Sequence, residues 1–181
     1  MKSHEDPFSG LHIVNSTPQD MSIIFELFNK AIDYQKKNGF ELWPQFSEQL
    51  IQTEVLEKRH WKILDGNKTA CVFSVLHNDP VIWGHERDQE PSVYLHRIAI
   101  NPLFKGKGMM KLIRQWAMEY GKQNNRKYVR MNTWGNNERL RNYYIDCGFN
   151  YIGQQYLQGT EGLPGHYGGS VLSLFQIDIC V

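Results

Sequence analysis

Cysteine is scarce in this 181-residue chain, and the three present, Cys71, Cys147 and Cys180, are odd in number, widely spaced and never arranged as CxxC. That pattern argues against both a disulfide framework and a thiolate zinc site, so reduced core thiols and no bound metal are expected. Net charge is nearly absent too, because 20 Lys and Arg against 19 Asp and Glu leave a formal +1. With both signs interspersed there is no long-range field to draw in nucleic acid or an anionic membrane, and neither is expected as a partner. Long apolar runs are also missing: no stretch approaches the roughly eighteen residues of a membrane span. Residues 1–10 (MKSHEDPFSG) hold no apolar core of a signal peptide, so a cytoplasmic protein is expected. No repeat, low-complexity tract or linker interrupts the chain, and its length suits a single domain over 1–181 with a sizeable core.

What is present is an ordered alternation of apolar patterns. A short apolar stretch (Leu11, Ile13, Val14) precedes Thr17-Pro18-Gln19-Asp20, which opens a helix carrying Ile23, Ile24, Leu27, Phe28 and Ala31 at the helical period and stopping near Asn38-Gly39. An aromatic connector, Phe40–Phe46, leads to Ser47-Glu48, which caps a second helix reaching about Arg59. Trp61–Leu64 and Thr69–Leu76 flank Asp65-Gly66-Asn67 and predict a hairpin, after which His77–Pro91 reads as a long loop. Val93–Ile100 predicts a strand. Met109, Ile113, Trp116, Ala117 and Tyr120 predict a helix behind the glycines of Lys105–Gly108. Lys127–Thr133 predicts a strand, Asn136–Cys147 a helix with Leu140, Tyr143, Tyr144 and Cys147 on one stripe, and Phe149–Leu157 and Val171–Ile179 two closing strands. The resulting order, ββ-αα-βββ-α-β-α-ββ, implies an α/β (α+β) fold with a mixed sheet covered by helices.

The segment Ile100-Asn101-Pro102-Leu103-Phe104-Lys105-Gly106-Lys107-Gly108-Met109-Met110 runs from a strand into an amphipathic helix, with its glycines at the helix N-terminus. The first N–H groups of a helix lack intrahelical partners and sit at the positive end of its dipole, so they can hold a phosphate or pyrophosphate. A plain strand-to-helix turn is the competing reading. A dinucleotide fingerprint does not fit, since Lys111 stands where its third glycine should be, and no GxxxxGK[ST] pattern occurs.

In context this stretch resembles motif A of the GNAT acetyltransferases, an Arg/Gln-x-x-Gly-x-Gly/Ala signature after a strand that ends in apolar-x-Pro. Downstream, Thr133 through Phe149 (TWGNNERLRNYYIDCGF) resembles the family's motif B, with its Asn, its Tyr and a closing Gly-Phe. The likeness is close from about Tyr94 to Phe149 and architectural elsewhere. Lys105 stands at the Arg/Gln position and Met110 at the last Gly/Ala position, two departures from the pattern. The resemblance implies a mostly antiparallel sheet with a splayed strand pair. It also implies acetyl-CoA or CoA as cofactor, held by Ile98, Ala99, Ile100, Lys105, Gly106, Lys107, Gly108, Met109, Met110, Asn137 and Tyr144. Pantetheine would lie between Leu95–Ile100 and Tyr128–Thr133, in the manner of a strand added to a sheet edge.

Direct transfer to an amine needs a base for the amine's proton and a donor for the departing thiolate. By the resemblance Tyr144 is that donor; a packing role in its apolar stripe is the alternative. His96 stands where family members often carry a carboxylate and is the candidate base, with His166 and water as rivals. Strand alternation puts it on the face of Ile98 and Ile100, with Arg97 opposite. Asn137 is read either as a pantetheine ligand or as a helix cap. Trp43, Phe46, Trp83 and Trp134 are candidates to line the acceptor pocket, against a default of packing, and Glu41 is read either as a contact for a cationic acceptor or, by default, as a solvated loop carboxylate. The partner implied is a small-molecule or peptide amine, with a homodimer left open. Two other readings stand beside the N-acetyltransferase: a non-catalytic CoA-binding module of the same fold, and an unrelated phosphate-binding α/β domain that would leave Asn137, Tyr144 and Gly148-Phe149 unexplained.

Overall fold

The computed structural model describes residues 8–157 and 169–179. Its core is a seven-stranded sheet of β1 (Leu11–Asn15), β2 (His60–Asp65), β3 (Lys68–Leu76), β4 (Ser92–Ile100), β5 (Tyr128–Trp134), β6 (Asn150–Tyr156) and β7 (Val171–Asp178). The spatial order is β1-β2-β3-β4-β5-β7-β6. Every neighbouring pair is antiparallel except β4 and β5, which run parallel. One strand, not two, precedes the helices, because a single apolar stretch lies ahead of Thr17 and it pairs along β2. The fold is otherwise the mixed, mostly antiparallel sheet flanked by helices that the order of elements implies.

Helices α1 (Met21–Lys37) and α2 (Glu48–Leu56) cover one face. Thr17 and Asp20 cap the short 3₁₀ turn Pro18–Asp20 that leads into α1: the Asp20 carboxylate accepts from the Thr17 amide at 2.7 Å and from its hydroxyl at 2.9 Å. Ile24, Leu27 and Phe28, at the i, i+3, i+4 spacing, then pack with Ile51 and Val55 of α2 on Val72 and Ala99 of the sheet. Ser47 caps α2, its hydroxyl accepting from the Leu50 amide at 3.2 Å.

Residues 77–91, expected as an open loop, contain two short helices, α3 (Pro80–Trp83) and α4 (His85–Asp88). Each is a single turn, too short for an amphipathic period to register. They are pinned by the fully buried Arg130 of β5, which donates to Glu90 and to the Arg87 carbonyl and lies over the Trp83 ring. On the opposite face α5 (Met109–Gln123) presents Met109, Met110, Ile113 and Ala117 to the larger core, with Cys147 and Phe149 at the end of α6 (Glu138–Asp146) beside them. No helix among the described residues is long and apolar enough to cross a membrane.

Candidate active site

The parallel pair β4 and β5 is joined only from Ser92–Leu95 to Tyr128–Met131. β4 continues to Ile100 along β3 and β5 to Trp134 along β7 without further pairing to each other, so the sheet opens into a cleft between them. A bulge lies at the point of parting: on the β3 side Val72 faces Ala99 and Ser74 faces His96, so Phe73 alone opposes both Arg97 and Ile98. Arg97 has φ +51, in the left-handed region that side-chain-bearing residues rarely adopt.

The bulge alters which face each residue occupies. Cross-strand partners share a face, and the Ser74 hydroxyl donates to Glu54 of α2 at 2.6 Å, so His96 also faces the α1–α2 layer. The Arg97 guanidinium reaches the same Glu54. Ile98 and Ile100 pack into the core beneath α5, and Ala99 into the cluster under α1 and α2. The expectation that His96 shares a face with Ile98 and Ile100, with Arg97 opposite, is therefore corrected. Simple alternation fails because the bulge puts two successive residues on one face.

His96 lies 2.9 Å, from Nε2, from a carboxylate oxygen of Asp79, which is 8% exposed and sits at the start of α3. With Nε2–H donating to that carboxylate, the free lone pair falls on Nδ1, which has no hydrogen-bond partner among the described residues. A carboxylate behind one imidazole nitrogen fixes the tautomer and balances the charge that the ring acquires when the other nitrogen takes a proton. Sequence pattern does not single out Asp79; the signal it carries is an Asp directly ahead of a Pro at a helix start.

At the other end of the cleft the amides of Gly106, Gly108, Met109 and Met110 find no backbone acceptor among the described residues, and α5 begins at Met109. Gly106 and Gly108 both have positive φ; a Cβ added at Gly106 would meet nothing within 4 Å, while one at Gly108 would meet the Phe8 ring at 3.3 Å, so the loop is a cradle of donors suited to an anion, open at Gly106 and edged by Phe8 at Gly108. The side chains of Met109 and Met110 turn into the core. The bulk of Met110 is therefore kept off the cradle. Lys105 holds its ammonium 4.3 Å from the centre of the Tyr34 ring and Lys107 lies 4.7 Å from that of Phe104, so both cations flank the loop.

Tyr144 projects from α6 on the α5 side of the sheet, packed against Phe175 at 5.3 Å and Phe149 at 6.3 Å between ring centres. Burial, reinforced by neighbouring Tyr143 and the thiols of Cys147 and Cys71, pushes its phenol well above the ordinary tyrosine range. The hydroxyl thus stays protonated, and it has no hydrogen-bond partner among the described residues. Burial likewise raises the Cys71 and Cys147 thiols, which makes them poor nucleophiles. Asn137 is the cap of α6, its side-chain oxygen accepting from the Leu140 amide at 2.9 Å; this leaves its NH₂ group for another acceptor.

The four candidate aromatic residues all fall on the His96 face. Trp43 and Phe46 pack on Phe28 of α1 at 6.2 and 5.2 Å. Trp83 and Trp134 share a cluster with Tyr94, Leu172 and Leu174, against which Trp43 also packs. Glu41 accepts from the Ser170 hydroxyl at 3.4 Å. His166 and Cys180 lie outside the described residues.

Comparison with known proteins adds a family. The family model described as "Acetyltransferase (GNAT) family" matches residues 40–149. The chain is 28% identical over 152 residues to "Uncharacterized N-acetyltransferase YesJ" of Bacillus subtilis, covering 80% of this chain and 84% of that one. Among solved structures it resembles a GNAT-family acetyltransferase of Listeria monocytogenes (TM-score 0.74, 19% identity, 93% of this chain and 94% of that one). It also resembles yncA of Salmonella typhimurium, solved with its cofactor acetyl-CoA (TM-score 0.67, 11% identity, 95% of each chain). At these identities the structures establish the fold alone.

Proposed function

The chain belongs to the acetyltransferase (GNAT) family, and from that premise we propose that it is a cytoplasmic, single-domain enzyme that moves an acetyl group from acetyl-CoA directly to a primary amine. The observation that carries this reading is the parting of β4 from β5 after Leu95 and Met131, together with the amides of Gly106, Gly108, Met109 and Met110, which find no backbone acceptor among the described residues. The cradle suits the pyrophosphate, with Lys105 and Lys107 adding positive charge beside it. The free edge of β4 at Ile98, Ala99 and Ile100 suits the amides of the pantetheine arm, as a sheet edge accepts an added strand, and the Asn137 NH₂ group can donate to the same arm.

Acetyl-CoA, when bound, supplies an activated thioester whose departing sulfur gathers negative charge. Tyr144 stands on the α5 side of the cleft as a phenol held protonated by burial, able to donate to that sulfur. His96, on the opposite face, takes the proton of the attacking amine on Nδ1 while Asp79 balances the imidazolium. An amine of the lysine type, with a pKa of roughly 10.4, is almost wholly protonated at neutral pH and needs such a base. Because donor and base occupy opposite faces, the acyl group crosses the sheet through the cleft, and the acceptor enters from the side of Trp43, Phe46, Trp83 and Trp134. The test is thiol release from acetyl-CoA with a panel of small amines and peptides, with mass spectrometry of the products. Amine-dependent release with an acetylated amine supports the reading; release only by hydrolysis, whatever amine is offered, contradicts it.

A further inference from the structure

Glu54 is 1% exposed, on the inward face of α2 with Ile51 and Val55. A carboxylate that deep is costly to desolvate and persists only where cations and donors meet it. Here the Ser74 hydroxyl donates to it, the Arg97 guanidinium bonds it, and Nη1 of Arg59 lies 3.6 Å away. Ser74 and Arg97 mark the two sides of the β3–β4 bulge. Among the described strand residues Arg97 is the one non-glycine with positive φ, at +51, a conformation its Cβ disfavours. Such a conformation persists only when its surroundings over-determine it. The surroundings in this case are the ion pair to Glu54 and the Phe46 ring, 5.8 Å beneath the guanidinium.

We propose that Glu54 is a positioning residue for the acyl donor: by holding Arg97 in its left-handed conformation it fixes the bulge that turns residues 96–100 of β4 away from β5. The inference rests on the reading of that cleft as the donor site. Glu54 bonds the Arg97 guanidinium, so its effect on the donor site passes through Arg97.

Calorimetric titration of acetyl-CoA into the full chain, with folding checked by circular dichroism, tests it on Glu54→Gln, Arg97→Ala and Arg97→Gly. Both Arg97 variants lose the same ion pair, but glycine adopts φ +51 freely and alanine does not. Arg97→Ala and Glu54→Gln are expected to bind acetyl-CoA about tenfold or more weakly. Arg97→Gly should stay within about threefold of the wild type and become indifferent to a second change at Glu54. Arg97 also lies over Phe46, on the side from which the acceptor enters, so the affinity for acetyl-CoA alone, and not the acceptor KM, is the deciding readout. Equal affinities for the Ala and Gly variants, or wild-type affinity in Glu54→Gln, would overturn the inference. Should Glu54→Gln not fold, the Ala and Gly contrast decides alone. A folded wild type that binds no acetyl-CoA would overturn the donor-site reading itself, and this inference with it.

Discussion

Ser74 and His96 face one another across the β3–β4 ladder, one residue before the bulge, and so share the α1–α2 face of the sheet with the Arg97–Glu54 pair. Tyr144 lies on the opposite face, against Phe149 and Phe175. The two proposed proton-handling groups are therefore separated by the sheet itself and can meet at one reacting centre only where β4 and β5 part.

Tyr144→Phe removes one hydroxyl and keeps the ring that packs on Phe175. Because that hydroxyl has no partner among the described residues, the melting temperature is expected to stay within a degree or two, about the effect of a few tenths of a kcal/mol. If the phenol donates to the departing thiolate, kcat falls by roughly 10²–10³-fold, as when a positioned transition-state donor is lost, with CoA affinity little changed. Single-turnover acetyl transfer, which isolates chemistry from product release, is the measurement.

His96→Gln is expected to lower kcat/KM by about 10²-fold and to remove the acidic limb from its pH profile, since glutamine cannot take the amine proton. Asp79→Asn should lower kcat in the same direction while leaving the donor KM unchanged, because it strips the imidazolium of its balancing charge without touching the cradle. An acidic limb that survives in His96→Gln would assign the base elsewhere.

How far the sequence alone reaches can be judged residue by residue. The four longer helices, the hairpin and the glycine-bearing turn are legible because each depends on local chemistry: the Thr17–Asp20 turn ahead of α1, the Ser47 cap, apolar spacing and Gly106–Gly108; the single-turn α3 and α4 are not. The bulge at Arg97 is not legible, since it is set by contacts with Glu54 and Ser74, distant in sequence. That is why the face of His96 is misjudged. Asp79 is hidden for the same reason, its role depending on a strand 17 residues away. Glu54 did leave a trace, as a carboxylate on the apolar stripe of α2 beside Val55.

His60 predicts an acid limit to stability. It is fully buried, with Nδ1 2.8 Å from the Ser16 hydroxyl. Burial, aided by the positive charge of Arg97, lowers its pKa from 6.5 to about 4. The unfolded chain thus binds a proton that the folded one refuses between these values, so stability is full above about pH 6.5 and is lost as pH falls toward 4. The loss from this group is of order 3 kcal/mol. Denaturant titrations across that range should show a flatter slope in a folded His60→Gln variant than in the wild type.

Direct transfer uses no acyl-enzyme, and burial holds the Cys71 and Cys147 thiols protonated. Replacing Cys71, Cys147 and Cys180 together is expected to keep most of the activity, after small losses from core packing at Cys71. Intact-mass spectrometry under turnover should find no acetyl-cysteine.

Hydrogen exchange with and without CoA addresses the cleft itself. Bound CoA is expected to slow exchange at the amides of the β4 edge, residues 97–101, and of the cradle, residues 105–110, with little change in β1, β2 or β6; NAD at the same concentration should protect neither. Protection confined to other segments, or equal protection by NAD, would contradict the assignment of the β4–β5 cleft and the α5 N-terminus as the acetyl-CoA site.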